Sequence, residues 1–283
     1  MFHKYRWTKK SAGRNQLLQS YEPLQPFVLK ELARRMQADT FLDVGANIGA
    51  YSLFMSGLEQ MRDIQAFEPA PAAFGELTAN VRLNALEGRI HAHQVAVSDR
   101  RGTADFGVVG DLSGANGLVS TTIHGKKRLK RQVPVDTAPL DDLAAFSDRR
   151  VCVKVDVEGH EAAMLAGAAE FIARNAVVIQ IESYGRDTAA TEALARLGLT
   201  PVAAIGPDQY LTNRPEIFCD ACVSSALQAA ASEMVKATKA QRRNGDGVAG
   251  TIRVPIAPGL GIEVSGPAVR LARRAVRKLG KVA

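Results

Sequence analysis

The sequence predicts an α/β protein built on a doubly wound, mostly parallel sheet, and three observations support this fold class. Near-continuous apolar runs such as VCVKVDV and AVVIQIE are typical of strands that helices cover on both faces. Helical segments alternate with these runs at the spacing of right-handed βαβ units. A glycine turn, DVGANIG, follows the first strand and leads into a helix, as in many nucleotide-binding sheets.

The predicted elements follow one another along the chain in this alternation. Strands are predicted from β-rich apolar runs at residues 40–44, 64–68, 90–97, 151–157, 176–182 and 199–205, with a last one near 216–223. Helices are predicted near 27–36 and at 49–60, 71–84, 161–174 and 188–197. Residues 100–138 show no helical period and predict a β-rich insertion between the third and fourth strands.

Composition and length indicate a soluble globular protein. The 283 residues are 46% apolar and 23% charged, and no uncharged apolar run approaches the ~20 residues that span a bilayer. The basic N-terminus lacks the apolar core of a secretory signal. Three cysteines in a chain of this length indicate a reducing compartment, so we expect a cytoplasmic protein.

Charge divides the chain into a near-neutral domain and a basic tail. Residues 1–38 predict a basic N-terminal arm with a helix, residues 39–226 the sheet domain, and residues 227–283 a basic linker and C-terminal helix. The tail holds 11 Lys and Arg against 3 Asp and Glu. The net positive charge of the chain therefore belongs to the tail and says little about the substrate of the sheet domain. Nucleic acid is not an expected partner. Cations occupy one side of the last helix, a form that can lie on an anionic inner membrane surface; they are Arg270, Arg273, Arg274, Arg277, Lys278 and Lys281. Docking of this helix on its own domain or on nucleic acid is the alternative.

The glycine turn and the second strand together predict a nucleoside site. Gly45 and Gly49 permit a tight turn, and the next helix offers N–H groups to a ligand. A pyrophosphate would suit those donors, but the carboxylate of Asp43 favours a cationic group such as an ammonium or a sulfonium. Glu68 ends the second strand, 23 residues after Gly45, where an acid accepts hydrogen bonds from ribose hydroxyls. For the turn taken alone, a βα turn without a ligand remains the alternative.

Two further strand ends carry polar residues. Ser98 and Asp99 end the third strand, where they could read the exocyclic amine of adenine, although turn chemistry explains Asp99 equally well. The fourth strand ends in a dense cluster of Asp156, Glu158, His160 and Glu161. Neighbouring carboxylates raise each other's pKa, and an imidazole can act as a general base at neutral pH. Acids at a helix N-terminus are the structural alternative, but three of them at a buried strand end favour a functional role.

The order of the motifs DVGANIG–YS, FEP, VAVSD, VDT–PLDDL, VKVDVEGHE–ML and IQIE resembles the FkbM-type methyltransferases over roughly residues 38–220. The resemblance implies a seven-stranded Rossmann-like domain with an antiparallel last strand and S-adenosylmethionine (SAM) as cofactor. It places the methionine part of SAM on Asp43 and the turn residues Gly45, Ala46, Asn47 and Gly49, and the ribose on Glu68. Asp156, Glu158 and Glu161 match the family's D-V-E-G-x-E motif beside the methyl group, and His160 lies at a more variable position of it.

The resemblance implies methyl transfer to a hydroxyl oxygen of a sugar, a glycolipid or a hydroxylated secondary metabolite. A carboxylate or His160 would remove the hydroxyl proton. A divalent metal on Asp156 and Glu158 is an alternative, and we favour the version without metal. RNA methylation and a non-catalytic SAM-binding scaffold are the rival functions. The pair Cys219 and Cys222 falls in the last predicted strand, where residues three apart face opposite sides, so neither redox activity nor zinc binding is expected.

Overall fold

The structure is a computed structural model that describes residues 5–120, 129–182, 188–243, 251–257 and 260–265. Its strands, in chain order, are β1 (Thr40–Val44), β2 (Asp63–Phe67), β3 (Ile90–His93), β4 (Ala96–Val97), β5 (Gly102–Val108), β6 (Gly117–Leu118), β7 (Arg131–Ala138), β8 (Arg150–Val155), β9 (Ala176–Glu182), β10 (Thr200–Ile205), β11 (Asp208–Thr212), β12 (Thr251–Ala257) and β13 (Leu260–Ser265). Its helices are α1 (Lys9–Tyr21), α2 (Gln25–Met36), α3 (Ala50–Met55), α4 (Pro71–Leu83), α5 (Leu140–Leu143), α6 (Glu161–Ala166), α7 (Ala169–Arg174), α8 (Thr188–Arg196) and α9 (Asp220–Arg243).

The central sheet has seven strands in the order β10-β11-β9-β8-β1-β2-β3. β11 is antiparallel to both of its neighbours, and the remaining pairs are parallel. Apolar residues of α2, α3 and α9 pack against one face, and those of α6, α7 and α8 against the other. The predicted fold class, a doubly wound seven-stranded sheet whose last strand is antiparallel, is confirmed.

The last strand of this sheet lies earlier in the chain than the sequence suggested. β11 follows β10 after the two residues Gly206 and Pro207, and Ile205 pairs with Asp208 across this hairpin. Gly206 has φ +62°, a conformation that two-residue hairpin turns require and glycine adopts at little cost. The prediction of a strand near residues 216–223 is therefore wrong, because a 3₁₀ turn and the start of α9 occupy that segment.

Two other predicted elements are each divided in two. The strand predicted at 90–97 separates into β3, in the central sheet, and β4, which joins β5, β6 and β7 in a four-stranded sheet. This smaller sheet contains the predicted β-rich insertion. The helix predicted at 161–174 is broken at Gly167, where a Cβ atom would lie 1.9 Å from the carbonyl oxygen of Ser98. The chain bends there because the backbone of the third strand's end approaches closely.

The packed core extends past residue 226, where the sequence placed the end of the domain. α9 runs through that position without a break, and Ala226, Ala230 and Met234 are buried in the same core as α2. Lys30 of α2 forms an ion pair with Glu233 of α9. β12 and β13 form a separate antiparallel pair after α9.

The two cysteines of the Cys-x-x-Cys segment lie at the beginning of α9 and form a disulfide, Cys219–Cys222. The prediction that they face opposite sides of a strand is wrong. Residues three apart lie on the same side of a helical turn, which brings the sulfur atoms together.

The predicted C-terminal helix of the tail, within residues 266–283, lies outside the described residues. In the parts of the chain that the structure describes, no helix has the length and apolar character needed to cross a membrane.

Candidate active site

A cavity opens at the carboxyl ends of β1, β2 and β8, where the sequence placed its polar strand ends. It encloses about 600 Å³ when the open solvent at its mouth is included. Six of the predicted site residues line it, namely Gly45, Asn47, Glu68, Asp156, Glu158 and His160. Apolar side chains from the ends of β2, β4 and β5 complete one wall, among them Phe67, Val97 and Phe106. The topology thus joins four separate sequence motifs around one space.

The glycine turn lies against the end of β8. Gly45 has φ +82°, and a Cβ atom there would lie 1.9 Å from the carbonyl oxygen of Asp156. The backbone N–H of Asp156 donates to the carbonyl of Val44 at 3.0 Å, so the first and fourth strand ends are held together. This close approach explains why glycine stands at position 45. Gly49 has φ +80° and precedes α3, outside the cavity lining, and Ala46 is buried beside it.

We expect Gly45→Ala to lower the free energy of unfolding by at least about 3 kcal/mol. Alanine at this position would have a strained positive φ, and its Cβ atom would also clash with the backbone of Asp156. Gly88→Ala is the matched control. A Cβ atom at Gly88 meets nothing within 4 Å, so the change should stay within about 0.5 kcal/mol. Denaturant unfolding of both variants measures the difference, and equal stabilities would contradict the close approach.

Asp43 does not reach the cavity, contrary to the expectation that it contacts the cofactor. Its Oδ2 atom accepts hydrogen bonds from the backbone N–H of Ser52 at 2.9 Å and from the Ser52 hydroxyl at 2.6 Å. Burial raises the pKa of Asp43, while the charge of Lys154 and the bonds from Ser52 oppose that rise. Through these hydrogen bonds Asp43 links α3 to β1, and it supports the glycine turn without lining the cavity.

Glu68 closes the second strand with its carboxylate turned back to the glycine turn. Oε2 accepts a hydrogen bond from the N–H of Asn47 at 2.8 Å, and Oε1 accepts one from the N–H of Ala70 at 2.8 Å. Burial raises the pKa of Glu68 to about 7, although both backbone donors oppose the rise. The carboxylate fixes the two turns that border the cavity, and its remaining lone pairs can accept from a ligand.

His160 is connected to the residues predicted to read adenine. The hydroxyl of Ser98 donates to Oδ1 of Asp99 at 3.0 Å and lies 2.9 Å from Nε2 of His160. A hydroxyl has a single proton, so donation to Asp99 requires that Nε2 carry the histidine proton and Nδ1 carry the lone pair. Ser98 and Asp99 do not line the cavity. Ser98 and Asp99 therefore fix the tautomer of the His160 imidazole, and they do not occupy a position from which they could contact adenine in the cavity.

The acids of the fourth strand end differ in their surroundings. Asp156 accepts a hydrogen bond from Lys154 at 2.9 Å, and Glu161 accepts one from the N–H of Gly159 at 3.1 Å. Glu161 is buried outside the cavity lining and stabilises the turn before α6. Glu158 lines the cavity with φ +53°, a strained value for a residue with a side chain, and such strain clusters at functional sites.

Glu158 and His160 have pKa values displaced in opposite directions. Burial and the neighbouring carboxylates of Asp156, Glu182 and Glu161 raise the pKa of Glu158 to about 8. Burial lowers the pKa of His160, and the charge of Asp99 opposes this only in part. At pH 7 Glu158 is therefore mostly protonated and His160 neutral. Pairs of groups displaced in this way are the usual acid and base of a site.

A buried row of polar side chains supports this site from one face of the sheet, and of its members only Asp43 was singled out from the sequence. Tyr210, Gln180, Lys154 and Asp43 are register partners on β11, β9, β8 and β1. Tyr51 lies over this row, with its ring centroid 4.7 Å from Nζ of Lys154, and donates a hydrogen bond to Glu22 at 2.7 Å. The row was missed because its members look like isolated polar residues within apolar runs.

Arg14 and the loop before β6 also line the cavity, at Ser113, Gly114 and Asn116. These positions have no motif in the sequence, and their contribution depends on how α1 and the insertion fold over the strand ends.

This sheet order, with a glycine turn after β1 and a buried acid after β2, defines a class I methyltransferase fold. A family profile described as the methyltransferase FkbM domain matches residues 43–200, more than half of the chain. The chain belongs to the FkbM methyltransferase family. The resemblance drawn from the sequence is confirmed, and with it S-adenosylmethionine as the cofactor.

Two individual proteins and one solved structure are similar to the chain over part of its length. The chain is 31% identical to methyltransferase sdnD of Sordaria araneosa over 173 residues, which are 51% of this chain and 67% of that protein. It is 28% identical over 198 residues to the 31-O-demethyl-FK506 methyltransferase FkbM of Streptomyces tacrolimicus, covering 60% of this chain and 75% of that one. The crystal structure of methyltransferase FkbM from Methylobacillus flagellatus KT is similar with a TM-score of 0.44 and 18% identity, covering 62% of this chain and 43% of that one.

The residues of the cavity fit the cofactor. Oδ1 of Asn47 is buried and has no hydrogen-bond partner among the described residues. A buried amide oxygen without a donor is costly, and a donor on a bound ligand removes that cost. Glu68 supplies further acceptors beside it, as hydroxyl groups of a ribose require.

Proposed function

We propose that the protein transfers a methyl group from SAM to a hydroxyl oxygen of a small-molecule or glycan acceptor. The observation that carries this proposal is the pairing, in one cavity, of Glu68 and Asn47 on one side with a neutral His160 and a protonated Glu158 on the other. The name of the Streptomyces relative gives 31-O-demethyl-FK506 as its substrate, which favours oxygen as the methylated atom.

Each residue of the cavity has a separate role in this reaction. Asn47 and the glycine turn hold the methionine part of the cofactor, and Glu68 holds its ribose. The bound sulfonium supplies an activated methyl group, so the protein must chiefly align the acceptor oxygen. His160 accepts the proton of the acceptor hydroxyl, and Asp99 stabilises the resulting imidazolium through Ser98. Protonated Glu158 donates a hydrogen bond to the acceptor, and the sheet face behind excludes water.

The cofactor part of the proposal is tested by binding. At pH 8, where Glu68 with its pKa of about 7 is mostly ionised, we expect Glu68→Ala to raise the Kd for SAM and S-adenosylhomocysteine more than tenfold, because the hydroxyl donors of the ribose lose a charged acceptor, worth about 1.5–3 kcal/mol. Isothermal titration calorimetry measures this, and circular dichroism checks that the variant is folded. Glu87→Ala, at an exposed position, is the control and should leave both constants unchanged. Equal affinities for wild type and Glu68→Ala would contradict the assignment of Glu68.

The acceptor part is tested by a methylation screen with radiolabelled SAM over glycans, glycolipids and hydroxylated small molecules, with RNA as a comparison. Transfer to a hydroxyl oxygen supports the proposal. Label found in RNA, or on nitrogen or carbon of every active acceptor, would contradict it.

A further inference from the structure

Arg14 places a positive charge in the wall of a cavity whose lining also includes three acids. It lies on α1, is half-buried, and borders the same space as Glu68, Asp156 and Glu158. Among the residues whose side chains the structure describes, its guanidinium has no ion pair or hydrogen-bond partner. The nearby carboxylates are engaged elsewhere, Glu68 by two backbone N–H groups and Asp156 by Lys154. A cation in this setting is available to a ligand.

The guanidinium lies on the backbone of Gly114. A Cβ atom at Gly114 would lie 2.3 Å from Nη2 and 3.3 Å from Cζ of Arg14, so glycine leaves the space that the guanidinium occupies. The adjacent residue, Ser113, accepts a hydrogen bond from Nδ2 of Asn47 at 3.4 Å. Arg14 therefore lies at the glycine-turn end of the cavity. Gly117, three residues further along the chain, approaches Glu158 of the acid cluster.

The loop that carries Gly114 is fixed by its own side chains. Oδ1 of Asn116 accepts from the N–H groups of Val109 at 2.8 Å and Gly110 at 3.3 Å, and its Nδ2 donates to the carbonyl of Gly110 at 2.8 Å. The guanidinium thus lies against a preformed surface, which limits the entropy lost when it binds a ligand.

We propose that Arg14 binds the carboxylate of the methionine moiety of SAM and so selects cofactors that carry this group. The inference rests on the proposed function. Adenosine is neutral, and the sulfonium and ammonium are positive, so the carboxylate is the anionic group of the ligand. The planar guanidinium matches a carboxylate with two parallel hydrogen bonds. Arg14 and Asn47 contact adjacent residues of one loop, Gly114 and Ser113, and Asn47 belongs to the turn that the proposal assigns to the methionine part of SAM.

The test compares ligands with and without the carboxylate. Calorimetry measures the Kd of wild type and Arg14→Gln for SAM, S-adenosylhomocysteine, decarboxylated SAM and 5′-methylthioadenosine. We expect Arg14→Gln to weaken binding of the first two by roughly 10- to 100-fold and of the other two by less than about threefold. Lys10→Gln removes one positive charge from an exposed position of the same helix and should change none of them.

Gly114→Ala is the second variant, and it leaves Arg14 in the sequence. Its methyl group displaces the guanidinium, so it should also weaken SAM binding while sparing decarboxylated SAM. In the double variant with Arg14→Gln, the two effects should not add, because both remove the same contact.

Three results would overturn the inference. If Arg14→Gln weakened the binding of all four ligands equally, Arg14 would stabilise the loop and would not contact the carboxylate. An unchanged Kd for SAM with a raised KM for the acceptor would assign it to acceptor binding. Wild-type protein that binds none of the four ligands would refute the proposed function itself. This outcome is distinguishable from a failure of the inference, because the wild-type affinities are measured before those of any variant.

Discussion

Replacement of His160 by Asn is expected to lower kcat by about 10²- to 10⁴-fold, the usual contribution of a positioned general base. The variant should bind SAM as wild type does, because the proposal assigns cofactor binding to the glycine turn and Glu68 and not to His160. The measurement is steady-state methyl transfer with the acceptor found in the screen, together with calorimetry of cofactor binding. A loss of SAM affinity parallel to the loss of kcat would contradict this assignment.

Glu158→Gln is the matched control for His160→Asn. Glu158 is mostly protonated at pH 7 because its pKa is raised to about 8. Its neutral acid can donate a hydrogen bond, and a Gln amide can donate one in its place. We expect Glu158→Gln to keep kcat at pH 7 within about tenfold of wild type, the worth of one neutral hydrogen bond. A Glu158→Gln variant as inactive as His160→Asn would make Glu158 the base.

The pH profile separates the same two candidates. A base must be deprotonated, so activity is present above its pKa and is lost as the pH falls through it. Burial lowers the pKa of His160 below 6.5, and a His160 base therefore gives kcat/KM a midpoint below pH 6.5. A Glu158 base would instead give a midpoint near pH 8, because the pKa of Glu158 is raised to about 8. We expect the lower midpoint.

Replacement of Lys154 by Met is expected to lower the free energy of unfolding by about 3–5 kcal/mol at pH 8, because buried carboxylates lose their cation. Lys154 is 5% exposed and bonds to Asp156 at 2.9 Å. Burial alone would lower its pKa, but the charges of Asp156, Glu22 and Asp43 outweigh this and hold the pKa above its usual value. Denaturant unfolding measures the effect.

The loss should be smaller at pH 5.5 than at pH 8. Burial raises the pKa of Glu22 to about 7 and that of Asp208 above its usual value, with Lys154 opposing both rises. Without Lys154 these acids hold their protons to still higher pH. Stability contributed by groups with raised pKa is present at low pH and lost as the pH rises through the folded value. The same loss at both pH values would show that these carboxylates do not depend on Lys154.

Lys30→Met provides the control for this variant. Lys30 is similarly buried, at 7% exposed, but its partner Glu233 has a side chain that is 33% exposed to water. Water solvates Glu233 when Lys30 is lost, so we expect a cost of about 1 kcal/mol or less. A cost equal to that of Lys154→Met would show that burial of the lysine stem, and not the surrounding carboxylates, determines the effect.

The features that could be read from the sequence are contiguous in it. The glycine turn, Glu68 and the acid cluster after Lys154 each follow an apolar strand, and parallel strands place such ends at one edge. Element boundaries failed where a long-range contact decides them. α6 ends at Gly167 because Ser98 approaches it, and β11 forms because a two-residue turn returns the chain to β9.

The roles of individual site residues depended on contacts between distant parts of the chain. Asp43 looked like a ligand for a cation, but Ser52 occupies its carboxylate. Ser98 and Asp99 looked like readers of adenine, but they contact His160, which is 62 residues away from Ser98. Arg14 carried no signal, because its place beside Gly114 depends on α1 folding over the insertion.

By itself the sequence determined the fold class, the family and the cofactor. The pattern of apolar residues along each element and the motifs at the strand ends are local properties of the chain. The tertiary structure decided which acids face the cavity, which tautomer His160 adopts and where the cation Arg14 lies. Those properties follow from burial and from hydrogen bonds between elements far apart in the chain, and a local pattern does not encode them.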